Sequence, residues 1–101
     1  MKMLILTEVD EFISTLEKTT RAKWIRHLGL LEQYGGSLGM PHARRITSML
    51  SELRLRGRQE VRAFYTCDHD RITVLHAFVK KTQKIPEREI ETAKNRLRWL
   101  T

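Results

Sequence analysis

The chain has 101 residues, 41% hydrophobic and 31% charged, with a formal net charge of +7. That size and balance read as a single globular domain, residues 1–101, and not as a disordered chain. No apolar run approaches the ~20 residues of a membrane span, and one cysteine, Cys67, excludes an internal disulfide.

The opening MKMLILTEVDEF returns to charge after a very short apolar run. It is too short for a secretory signal, so a cytoplasmic location is expected. The charge is unevenly spread. Residues 1–41 hold five Lys/Arg against five acids, so residues 42–101 carry fourteen bases against seven acids. A surplus confined to one part of the chain points to a polyanion site there; a merely soluble basic surface is the plainer alternative.

In chain order, residues 3–6 (MLIL) read as a short strand. Thr7 is placed to cap a helix whose Val9, Phe12, Ile13 and Leu16 share a face. Thr20 is placed to cap a second, with Trp24, Leu28 and Leu31 on one face and Ile25 beside them. Gly35-Gly36 ends that helix, and GGSLGMPH reads as a loop.

The period then changes from helical to alternating. LSELRLR (50–56), EVRAFYTC (60–67) and RITVLHAFV (71–79) read as three antiparallel strands, joined by turns at Gly57-Arg58-Gln59 and around His69-Asp70. Pro86 opens a last helix with Glu87 and Glu89 early, Lys94, Arg96 and Arg98 late, and an apolar stripe of Ile90, Ala93, Leu97 and Leu100. The expected class is α+β: two N-terminal helices packed on a three- to four-stranded, mainly antiparallel sheet, plus a C-terminal helix.

Four scattered histidines and one cysteine lack metal-ligand spacing, and there is no glycine-rich phosphate loop or serine-hydrolase elbow, so no metal or cofactor is expected. The cations are better organised. Arg54 and Arg56, two apart on a strand, leave the same face. Arg62 lies in the next strand, and Lys80, Lys81 and Lys84 follow the last one. A turn centred on His69-Asp70 pairs Arg62 with Ala77 and gives the sheet a basic end. It also puts Tyr65 and His76 on the face of Ile72 and Val74, where His76 reads as an interior histidine. A one-residue slip reverses that placement.

The runs ELRLRG, VRAFY and VLHAFVKKTQKIPEREIETAKNRL resemble RelE/HigB-type toxins of type II toxin–antitoxin pairs, in particular the phage-derived HigB-like branch. The resemblance spans roughly residues 8–100, and HAFVKKTQK-x-P with its following helix is its most distinctive piece. Ser51 and Val61 depart from aromatic residues common in that branch.

The resemblance implies the RelE-like fold and a ribosome-dependent mRNA endonuclease, an mRNA interferase working without metal. It implies attack by the RNA's own 2′-hydroxyl, with mRNA on the ribosome as substrate. It also implies a cognate antitoxin, commonly of helix-turn-helix type, through which the complex would bind operator DNA. Carried over, Arg62 is the catalytic arginine at the phosphate, and Lys80 or Lys81 assists proton transfer or charge neutralisation. Arg54, Arg56 and Lys84 hold RNA, and Tyr65 and His76 are further candidates. From another class, the same basic sheet suits a non-catalytic RNA- or DNA-binding module or a degenerate toxin.

Overall fold

The computed structural model describes residues 2–100. Its elements are β1 (Lys2–Ile5), α1 (Thr7–Ser14), α2 (Lys18–Tyr34), a 3₁₀ turn (Gly35–Ser37), β2 (Ala43–Arg45), β3 (Ser51–Leu55), β4 (Val61–Asp68), β5 (Arg71–Val79) and α3 (Glu87–Leu100). The strands form one sheet in the order β1-β5-β4-β3-β2. β1 runs parallel to β5, and the other neighbours are antiparallel. The architecture is the expected α+β one, with five strands where three or four were expected. The addition is β2, only ARR, which is too short to show alternation in sequence.

Both expected threonine caps are displaced by one or more residues. Leu6 is the N-cap of α1 and Thr7 is already helical. The entry is set by sheet pairing: Leu6 N–H donates to Val74 O at 3.2 Å, and Leu6 O accepts from the Val9 and Asp10 N–H groups. α2 starts at Lys18 after Glu17, so Thr20 lies buried inside the helix. The stop at Gly35 is as expected. Its φ of 52° is a conformation that costs glycine nothing, and its N–H closes on Leu31 O.

The sheet has two unlike faces. α1 packs on β5 and α2 on β3. Beneath them Val9, Ile13, Leu16, Trp24 and Leu31 meet Leu53, Leu55, Val61, Ala63, Ile72 and Val74, all buried. Full burial of a Leu, Ile or Val side chain is worth ~1.5–3 kcal/mol, so this layer is the main source of stability. On the other face α3 packs on β5 and the adjoining β4. A smaller cluster of Leu50, Phe64, Leu75, Phe78 and Ala93 lies there. The part of this face formed by β3 and β2 carries charge instead.

The β4–β5 hairpin turns at His69-Asp70, with His69 at φ 55°. The expected register holds from Asp68↔Arg71 to Tyr65↔Val74. A bulge between Phe64 and Tyr65 then admits Leu75 as an extra residue, so Phe64 pairs with His76 and Arg62 with Phe78, not Ala77. The bulge produces the one-residue slip, and it moves His76 to the α3 face while Tyr65 stays under α1 and α2.

Candidate nucleic-acid interface

On β3, Glu52 and Arg54 are two residues apart and point to the same face. Cross-strand pairing adds Arg44 beside Glu52 and Arg62 beside Arg54. Glu52 is fully buried, and three guanidinium groups surround it. Arg44 Nε donates to Glu52 Oε1 at 2.8 Å. Arg54 Nε stands 3.6 Å from the same oxygen, and Arg62 Nε 3.8 Å from Oε2. The last two are ion pairs beyond hydrogen-bond reach. Among the described residues, Glu52 Oε2 and Arg54 Nε are buried polar atoms without a hydrogen bond, and both belong to this cluster.

The three arginines differ in what they offer. The Arg44 side chain is 48% exposed, Arg54 16% and Arg62 4%. Arg62 is tied down. Its Nη1 donates to Leu55 O and Val61 O, and its Nη2 to Glu60 Oε1 at 3.1 Å. It braces the strand ends and lends charge to the site through Glu60. It does not project a free fork in this conformation.

Glu60 organises the adjoining end of the sheet. Gly57 N–H donates to its Oε2 at 2.9 Å, and Arg56 Nε lies 3.8 Å from Oε1. The Gly57 bond holds the Glu60 carboxyl below its usual range; partial burial opposes this, and Arg62 and Arg56 reinforce it. Lys80 N–H donates to Glu60 O. Glu60, Lys80, Lys81, Thr82 and Gln83 line a small open cavity of about 320 Å³. Lys80 Nζ donates to Gln83 O at 2.9 Å, while Lys81 is exposed.

Of the residues expected from sequence, the fold therefore gathers Arg56, Arg62, Lys80 and Lys81 around Glu60, and Arg54 next to Arg62. Lys84 stands exposed in the loop before α3, outside that cavity lining.

His76 lies under α3, its ring near those of Phe64 and Phe78 with centroids at 6.4 and 5.7 Å. Its Nε2 faces Glu89 Oε1 at 2.7 Å and its Nδ1 faces Arg96 Nη1 at 3.3 Å, which puts the ring proton on Nε2. Arg96 also donates to Leu75 O, the carbonyl exposed by the bulge. This network locks α3 to β5.

Tyr65 is 2% exposed in the larger core, and burial raises its phenol pKa. Another cavity, of about 670 Å³, is at the β4–β5 hairpin end, lined by Leu4, Met49, Tyr65 and Leu100 and by the charged Arg45, Asp68 and Arg71. None of Arg54, Arg56, Arg62, Lys80, Lys81 and Lys84 lines it.

Sequence reading missed Arg44, Glu52 and Glu60. Glu52 was legible in principle, because ELRLR puts Glu52, Arg54 and Arg56 on alternate positions of one strand. Arg44 was not, since its place depends on β2. Among the described residues no group of three or more His, Cys, Asp or Glu is arranged to hold a metal ion. No helix of the described residues is long and apolar enough to cross a membrane.

Fold and site together define an α+β fold with an arginine-rich cluster on β2, β3 and β4. The sequence model of the phage-derived Gp49-like proteins (DUF891) matches residues 11–98, and the chain belongs to that family. No curated protein matches the chain.

Proposed function

We propose that this Gp49-like protein is a RelE/HigB-type toxin: an mRNA endonuclease that acts on the ribosome in the cytoplasm and is neutralised by a cognate antitoxin. The observation that carries the reading is the convergence of Arg44, Arg54, Arg56, Arg62, Lys80 and Lys81 on one end and one face of the sheet. Such a field matches a phosphodiester chain in charge, and arginine forks match its oxygens in geometry. RNA supplies its own nucleophile. The 2′-oxygen attacks phosphorus, the bond to the 5′-oxygen breaks, and a 2′,3′-cyclic phosphate and a 5′-hydroxyl result.

The chain has three tasks in this scheme. It holds the backbone bent so that attack is in line, which orientation alone accelerates strongly. It stabilises charge growing on the phosphate oxygens with fixed cations. It also moves a proton from the 2′-hydroxyl and one to the leaving oxygen. Glu60 is the carboxylate among the cavity-lining residues and the group placed to accept the first proton. Lys80 or Lys81 beside it serves the second or neutralises the leaving oxygen.

Mapping transcript 5′ ends after brief induction tests the reading. Ribosome-phased cuts with growth arrest are expected. Lys81 is exposed and makes no bond among the described residues, so Lys81→Ala should leave the fold intact, suppress the cuts and flatten the salt dependence of RNA binding by ~0.7 in log–log slope. RNA binding without any cuts in a translating extract would replace the enzyme with a binding module of the same fold.

A further inference from the structure

The buried Glu52 raises a question that the proposed reaction does not answer. A carboxylate with no solvent access on a face meant for a polyanion opposes the partner's charge. It is costly to bury, and it is retained only where neighbouring cations compensate it. Its geometry supplies a reason. Arg44 bonds Glu52 Oε1 through Nε, and Arg54 approaches the same oxygen through Nε. An arginine that engages a carboxylate through Nε keeps the end edge formed by its two terminal nitrogens for a second anion. Among the described residues Arg44 makes no hydrogen bond through its terminal nitrogens, and Arg54 has only the one to the sulfur of Met40 at 3.3 Å from Nη1. Arg62 differs, because its terminal nitrogens are bound to Leu55 O, Val61 O and Glu60.

We infer that Glu52 is a positioning residue that hinges Arg44 and Arg54 on one oxygen, forming a two-arginine clamp for a single phosphodiester group. The clamp sits on the β2–β3 part of the sheet, with the half-exposed Arg44 from the edge strand and Arg54 from its neighbour. Each guanidinium can present two N–H groups to one phosphate, so the pair gives directional as well as electrostatic recognition. The clamp includes one of the two unbonded buried atoms. Arg54 Nε is the member of the pair left without a hydrogen bond, 3.6 Å from Oε1, whereas Oε2 faces Arg62. This inference rests on the nucleic-acid reading of this face and not on cleavage.

The hinge and simple electrostatics predict opposite signs, so the test is sharp. The probe is a short fluorescein-labelled single-stranded RNA, titrated by anisotropy at low salt with the intact chain and no ribosome. Removing a negative charge from a basic face should tighten RNA binding if only net charge matters. With the hinge, Glu52→Gln weakens binding severalfold despite the added positive charge, and Arg44→Lys does the same despite unchanged charge. Arg44 is half exposed, so Arg44→Lys stays folded and keeps the test open if Glu52→Gln does not fold. Circular dichroism and thermal melting check the fold of both. Equal or tighter binding by a folded Glu52→Gln chain, wild-type affinity in Arg44→Lys, or no RNA binding by the parent chain overturns the clamp. Severalfold weakening with no transcript cuts by the parent supports the clamp and removes the nuclease. Cuts with undiminished affinity in both variants do the reverse.

Discussion

The two faces of the sheet solve different problems with the same strands. Under α1 and α2, alternate residues of β3, β4 and β5 are apolar, and among the described residues no charged side chain is buried there. On the opposite face, alternate residues of the same strands give Glu52, Arg54, Arg62, Phe64, His76 and Phe78. α3 packs on the aromatic part, on β5 and β4, while the arginine part lies beyond it on β3 and β2. The closed face makes the domain stable through non-directional burial, while the open face holds charges in fixed positions at some cost to that stability. A two-residue period lets a single strand serve both.

This contrast can be broken most strongly from the closed side. Trp24 is 3% exposed in the main core. Trp24→Ala should cost ~3–5 kcal/mol in urea unfolding, by lost transfer energy and an unfilled cavity. Any chain that remains folded should bind RNA as before. A change in affinity without loss of stability would mean that the two faces are not separable.

Arg62 stands between the two regimes, buried like a core residue yet part of the charged field. Arg62→Lys keeps the charge but cannot make the bonds to Leu55 O, Val61 O and Glu60 together. A stability loss of ~1–3 kcal/mol is expected from the unsatisfied groups, with RNA affinity changed less than in Arg44→Lys. If affinity falls further than stability, Arg62 touches RNA directly and must leave its present bonds to do so.

The smallest effect is on the acid limb of stability. Glu60 has a folded pKa below the 4.5 of the free group, so the unfolded chain binds more protons in that window. Its contribution is fully present above pH 4.5 and is lost as pH falls through the folded value. Glu60→Gln should remove that part of the slope, seen as shallower loss of melting temperature below pH 4.5 than in the parent. An unchanged slope would show that the Gly57 and Arg62 bonds do not persist in solution.

Much of the architecture was readable in the order of residues. The strand RITVLHAFV has the bounds expected of it, because β-branched and aromatic residues flanked by turn residues leave little choice. The helical stripes of Trp24 with Leu31 and of Ala93 with Leu97 also meet the sheet as their spacing required. The strand face of Arg54 and the turn at His69-Asp70 were equally local facts. Each depends on periodicity or on a residue's own backbone preference, and both are properties of neighbours along the chain.

What only the tertiary structure decided is the register beyond the bulge and everything that follows from it. An inserted Leu75 sends His76 to the α3 side and sets Arg62 opposite Phe78. A three-residue strand brings Arg44 onto Glu52. Neither has a local signature, because a bulge and a short edge strand are stabilised by packing and pairing across the fold, not by the propensities of the few residues involved. The sequence therefore determined that cations gather on this sheet. The fold decided which of them are tied inward, as Arg62 is, and which are turned outward on a buried carboxylate.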